Sequence, residues 1–259
     1  IQNIEFYNTQ LTDAQVKNIY KYGTYNDLVL HYKFDEGSGT TPLDNSRNNY
    51  DGTINGFAWA KLGSDIDGED DTDYSGYSIS LSDDGTIVAI GANGNDDGPG
   101  SNSGHVRVYE YNGSAWTQLG SDIDGEAASD DSGRSVSLSS DGTIVAIGAK
   151  GNDDGPGNDS GHVRVYKYNG SAWAQLGSDI NGEADEDESG TSVSLNSDGT
   201  IVAIGGPFNS GNNPKGHVRV YQYNNSAWSK LGSDIDGESS YDRFGMSVSL
   251  SSDGTIVAI

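Results

Sequence analysis

The chain contains no cysteine, so neither a disulfide nor a thiol can serve it, and stability has to come from a buried core. It has five prolines and a single methionine. Basic residues are scarce: 14 Lys and Arg stand against 39 Asp and Glu, a formal net charge of -25. Binding to nucleic acid draws most of its affinity from Lys and Arg on phosphate, so this charge balance excludes it as a partner. No apolar run approaches the roughly 18 residues that a spanning helix needs, so no membrane span is expected in this stretch. Hydrophobic residues make up only 33% of the sequence, whereas glycine is abundant at 37 residues. That balance suits many short strands joined by tight turns better than packed helices. No signal peptide is visible. The sequence opens mid-pattern at Ile1 and stops inside a strand pattern at Ile259, so a piece of a longer protein is expected.

What is present is a repeat. Trp59, Trp116, Trp173 and Trp228 mark a period of 57, 57 and 55 residues. Within the repeat, Ser135–Ser139 alternates apolar Val136 and Leu138 with serine, the pattern of a strand with one buried face. Asp141-Gly142 marks a hairpin turn, since glycine accepts the positive φ such turns require. Thr143–Ile147 is apolar on both faces and so is expected to be covered on both sides. A polar loop leads to a third strand, His162–Tyr168, and Asn169-Gly170 turns into a fourth, Trp173–Leu176. Four antiparallel strands per repeat, stacked on neighbouring copies, describe a blade of a β-propeller. The expected fold class is therefore all-β. Blades are expected near residues 76–125, 133–182 and 190–237, with a partial unit at 245–259, all within a repeat region of residues 59–259.

Residues 1–58 read differently. Ile4–Tyr7 alternates as a short strand, and Thr12 can cap a helix over Asp13–Tyr20. Leu28–Asp35 forms a second strand pattern, followed by turn residues Glu36–Gly39 and Asp51-Gly52. The run Phe6–Val16 resembles the closing strand and helix of a laminin-G-like (concanavalin-like) jellyroll, over residues 1–24. Leu30–Gly39, with Asp44–Ser46 and Asp51–Thr53, resembles the opening of one, over residues 25–58. The family resemblance implies glycan binding, but its binding loops have no counterpart in these residues.

The repeats carry a second resemblance. Asp242–Ser249, with Phe244-Gly245, is similar to the start of the FG-GAP repeats that build integrin-α-type propellers. The glycine recurs at Gly76, Gly133 and Gly190 without the Phe. Gly91-Ala92, Gly148-Ala149 and Gly205-Gly206-Pro207 match the second half of the motif. The resemblance implies membership of a larger ring, of about seven blades, since propellers close with four to eight. It also implies an extracellular or cell-surface location.

The integrin-type calcium loop lies between the first two strands, but here that connection is only Ser82–Gly85 or Ser139–Gly142, which offers too few oxygens. Other acidic turns remain candidates for calcium. They are Asp65, Asp67 and Glu69; Asp122, Asp124 and Glu126; Asp234, Asp236 and Glu238; and the loop pairs Asp96 with Asp97 and Asp153 with Asp154. Carboxylates at period two before a glycine can converge on a hard cation, or equally can make turns and solvate the surface. His105, His162 and His217 share one repeat position, as do Arg107, Arg164 and Arg219, and both sets read as structural strand residues. The serines lack a recurring His and Asp partner for nucleophilic catalysis, so no enzymatic activity is expected. Asn112, Asn169 and Asn224 open formal glycosylation sequons, but their place in hairpins favours turn formation.

The expected function is a non-enzymatic adhesion or recognition module. Glycan or protein ligands would meet the rim loops 93–103, 150–160 and 207–215, where sequence varies between blades. Two other readings stay open: an accessory region of a secreted polysaccharide-degrading enzyme, and a structural surface or spacer protein.

Overall fold

The computed structural model describes residues 3–7, 28–33, 61–208 and 214–259, and the chain divides into two units, Ile1–Lys61 and Leu62–Ile259. Among the described residues every regular element is a strand, and no helix is long and apolar enough to cross a membrane.

In the first unit, β1 (Asn3–Tyr7) pairs antiparallel with β2 (Leu28–Lys33), with Ile4 opposite Tyr32 and Phe6 opposite Leu30. Both strands were expected, but as parts of separate segments, 1–24 and 25–58; here they share one sheet. The helix expected over Asp13–Tyr20 lies outside the described residues.

The second unit is built from repeated antiparallel sheets. The first contains β3 (Ser78–Leu81), β4 (Ile87–Ala92), β5 (His105–Tyr111), β6 (Trp116–Gln118) and β7 (Ile123–Asp124). The second repeats it as β8 (Ser132–Leu138), β9 (Ile144–Ala149), β10 (His162–Tyr168), β11 (Trp173–Gln175) and β12 (Ile180–Asn181). The third is β13 (Ser192–Leu195), β14 (Ile201–Gly206), β15 (His217–Asn224), β16 (Ala227–Lys230) and β17 (Ile235–Asp236). A two-stranded sheet, β18 (Ser249–Leu250) with β19 (Val257–Ala258), starts a fourth copy. In each full sheet the first four strands lie in sequence order, and the short fifth also pairs with the third strand. The fourth position is thus one broken outer strand. Leu119 N–H still bonds the Val108 carbonyl (2.7 Å), after which the chain bulges and rejoins the sheet at Ile123. These sheets are four-position antiparallel propeller blades, as the sequence pattern led us to expect.

The hairpins follow from their residues. Gly142 takes φ +70° and its N–H bonds the Ser139 carbonyl (2.9 Å). Asp141 Oδ1 then accepts from Ser139 Oγ and from the Thr143 N–H and hydroxyl. Asn169 Oδ1 likewise accepts the N–H groups of Ser171 and Ala172, so this sequon asparagine works as a turn residue.

The core lies between blades. One cluster joins Ala89, Val106, Val108 and Ile123 of the first sheet to Val136, Leu138, Val145 and Ile147 of the second. The next joins Ile144, Val163, Val165 and Ile180 to Val193, Leu195, Val202 and Ile204. Stacking is what buries the first strand. Val136 and Leu138 are 8% and 7% exposed, whereas Ile79 and Leu81, at the same repeat positions, are 66% and 57% exposed.

Backbone contacts set the spacing. A Cβ on Gly148 would lie 2.0 Å from the Gly190 carbonyl oxygen, and one on Gly91 would lie 2.2 Å from that of Gly133. Ser135 Oγ donates to the same Gly190 oxygen (2.8 Å). The two glycine positions that carried the resemblance to FG-GAP repeats therefore face each other across every blade junction.

Candidate functional site

The acidic turns are brought against the buried histidines. β5 and β10 begin with His105 and His162, each 1% exposed, followed two residues later by Arg107 and Arg164, 7% and 6% exposed. The arginine reaches the preceding repeat: Arg164 Nη2 donates to the Asp124 carbonyl (2.8 Å) and Arg107 Nη2 to that of Asp67 (2.9 Å). These bonds carry the following glutamate over the histidine of the next blade.

At the first junction the Nδ1 of His105 lies 3.7 Å from Glu69 Oε2 and 3.9 Å from Asp122 Oδ2. Each carboxylate has its other oxygen tied down. Arg107 Nη1 lies 3.4 Å from Glu69 Oε1, and Gln118 Nε2 donates to Asp122 Oδ1. At the second junction His162 Nδ1 lies 3.9 Å from Glu126 Oε2, Arg164 Nη1 lies 3.1 Å from Glu126 Oε1, and Gln175 Nε2 donates to Asp179 Oδ1. In both groups the three potential ligand atoms lie within 4.8 Å of one another. Buried Asp130 adds support from below, accepting the N–H groups of Glu126 (3.1 Å) and Ala127 (2.9 Å) and the Asn152 amide (3.3 Å).

Burial sets the protonation. It pushes His162 down to about 4, helped by the Arg164 charge and opposed by the nearby carboxylates Asp179, Asp130 and Asp154. The imidazole is therefore neutral near pH 7. Burial likewise raises Glu126, with Arg164 pulling the other way. Among the described residues neither His105 nitrogen has a hydrogen-bond partner, nor does Nδ1 of His162. Buried polar atoms are rarely left so.

The third junction differs at two repeat positions: Asn181 stands where Asp67 and Asp124 do, and a lysine enters beside the carboxylates. Lys230 stands at the repeat position of Gln118 and Gln175. Its ammonium contacts Asp234 Oδ1 and lies 3.4 Å from Glu183 Oε1. Arg219 adds contacts to Glu183 (3.3 Å), Asp187 (3.5 Å) and Asp234 (3.5 Å). The hydrogen bond to Asp234 raises the Lys230 pKa; the lysine and Arg219 hold Asp234 low against its burial.

The expected site residues therefore separate. Glu69, Asp122 and Glu126 enter the clusters, joined by Asp179 and by two histidines, His105 and His162, whose sequence pattern shows only a structural strand position. The grouping expected from period-two spacing is not the one found: Asp122 meets Glu69 from the preceding repeat and His105 from the strand beside it. Asp124 and Asp236 fall in the short outer strands β7 and β17, opposite His105 and His217. Asp67 offers its backbone carbonyl to Arg107, and Glu238 its own to Lys215 (3.3 Å). Asp65 lines a shallow recess with Ser64, Tyr109 and Trp116.

The rim loops are internally tied. Asp96 Oδ1 accepts the Asn102 N–H (2.6 Å) and Asp153 Oδ1 the Asp159 N–H (2.7 Å). The N–H groups of Asp97 and Asp154 donate to the side chains of Asn95 and Asn152. Each loop also receives N–H groups from the start of the next blade, such as Asp131 to Asn102 (3.1 Å). Part of the third loop, residues 209–213, lies outside the described residues.

No protein-family model matches the chain, and no curated protein does. Among solved structures it is similar to hydrazine synthase of Kuenenia stuttgartiensis, at 15% identity and a TM-score of 0.45, over 75% of this chain and 44% of that one. It is similar to TolB from Acinetobacter baumannii at 13% identity and a TM-score of 0.42, over 88% of this chain and 44% of that one. It also resembles the β-propeller domain of the Trilobed protease from Pyrococcus furiosus, at 12% identity and a TM-score of 0.37, over 61% and 41%. The chain thus spans less than half the length of these three proteins.

Proposed function

We propose that this chain is part of a non-enzymatic adhesion or recognition protein that works outside the cell or on its surface. The ligand, a glycan or another protein, meets the rim loops 93–103 and 150–160. The observation that carries this reading is the preorganisation of those loops. Asp96 and Asp153 cap them internally, and the following blade holds their far ends. An ordered loop loses less conformational entropy on binding. The resemblance to FG-GAP repeats supports the same reading, and calcium held by the carboxylates of these loops is compatible with it.

The test is binding of the immobilised chain to arrays of glycans and of extracellular proteins. Saturable binding that weakens at least tenfold in an Asp96→Ala, Asp153→Ala double variant supports the proposal. Binding to polysaccharide that ignores the double variant would favour the accessory role in a degrading enzyme. The absence of any saturable ligand would leave a spacer role.

A further inference from the structure

We propose that Glu69, His105 and Asp122 form one divalent transition-metal site, that Glu126, His162 and Asp179 form a second, and that Lys230 fills the equivalent third position as a built-in cation.

Three observations converge on this assignment. Buried imidazole nitrogens without hydrogen-bond partners face carboxylate oxygens at both junctions, at 3.7–3.9 Å. Those separations are close to what two ligands of one ion need, since metal–ligand bonds to His nitrogen or carboxylate oxygen are about 2.0–2.2 Å. The second observation is the outer ring of contacts. Arg107 and Arg164 hold the far oxygens of the glutamates, while Gln118 and Gln175 hold those of the aspartates. One oxygen of each carboxylate is thereby left to face the centre, as outer partners do around bound metals. The third observation is the substitution at the third junction. Where Gln becomes Lys230, a positive charge contacts both Glu183 and Asp234. The same carboxylate pair is served by a side-chain ammonium there, and it has no such lysine at the first two junctions.

The donor set names the ion class. Calcium takes six to eight oxygens, whereas one imidazole with two carboxylates suits zinc, cobalt or nickel, with water completing the shell. At the second site such an ion would join two blades, because Glu126 follows the first blade's β7 and His162 and Asp179 belong to the second; at the first site it would tie Glu69, ahead of the first blade, to that blade.

The experiment is titration of the chelator-treated chain, residues 1–259, with Co²⁺, followed by calorimetry and by visible absorption, in a millimolar Mg²⁺ background that screens the -25 charge. Two equivalents per chain with a Co²⁺ absorption band are expected. Gln118→Lys and His105→Ala should each remove one equivalent. Gln118→Lys leaves the buried strand intact, so it keeps the test valid if His105→Ala fails to fold. Lys230→Gln should raise capacity to three. Weak, unsaturable binding without a band, or two equivalents unchanged by Gln118→Lys, would overturn the assignment. A Lys230→Gln variant that still takes only two would overturn the role given to Lys230.

Discussion

The indole Nε1 of Trp173 donates to the carbonyl of Leu119, 54 residues earlier, at 2.7 Å. Trp116 makes the same bond to Leu62 (2.9 Å) and Trp228 to Leu176 (2.7 Å). Trp173 and Trp228 therefore stitch the outer strand of their own blade to the bulge of the preceding one, Trp116 ties its blade to the segment ahead of it, and each packs a tyrosine beside it, Tyr168 in the case of Trp173, with centroids 5.2 Å apart. Replacing Trp173 by Phe keeps an aromatic ring but leaves the Leu119 carbonyl without its donor. The expected loss is about 0.5–1.5 kcal/mol, the net worth of such a bond. Urea unfolding reads it, and an unchanged midpoint would show that the bond to Leu119 contributes nothing to stability.

The glycine junctions give a sharper test. In Gly148→Ala the new methyl would stand 2.0 Å from the Gly190 carbonyl oxygen, which is backbone and cannot swing away. The two blades have to separate, at a cost of roughly 1–3 kcal/mol typical of overpacking. A variant melting with the parent would show that the blades part freely.

Stacking predicts different tolerance at one repeat position. Val136→Thr places a hydroxyl in the sealed junction and should cost about 1–3 kcal/mol. Ile79→Thr, on the exposed counterpart, should fall within about 0.5 kcal/mol of the parent. Equal losses in the two variants would mean that the face bearing Ile79 is covered.

The turn aspartates should tie stability to acid. The hydroxyl of Ser251 and the N–H and hydroxyl of Thr255 hold Asp253 down to about 2, below the ordinary 3.8. The Thr200 hydroxyl and N–H lower Asp198 in the same way. A carboxylate lowered on folding contributes stability above its unfolded value and loses it as pH falls towards its folded one. Stability should therefore decline from about pH 4 towards pH 2. An Asp253 titration midpoint near 3.8 by carbon NMR would contradict this.

Much of this was legible in the sequence. The third strand of the second blade, His162–Tyr168, has the bounds its alternation suggested, and Asp141-Gly142 turns where the pair predicts. These features are local: period two, a glycine at positive φ, an Asn or Asp side chain folding back on its own backbone. The outer strand was only half legible. Asp122–Glu126 looked like an acidic turn because two strand residues, Ile123 and Asp124, are too few to show alternation.

The histidines show the boundary most clearly. Their recurrence in a strand pattern is visible in the sequence, and it places them at a strand position, as the structure does. What they face is not, because two strands, β3 and β4, separate Glu69 from the His105 it meets, and the Asp122 beside it lies in the bulge just before β7. The sequence by itself determined the blade: its repeat, its strands and its turns, all set by interactions within a few residues along the chain. Only the tertiary structure decided which side chains meet at the junctions, because that depends on how one blade's backbone seats against the next. There Gly148 lies against Gly190, and a lysine in place of a glutamine sets the third junction apart from the other two.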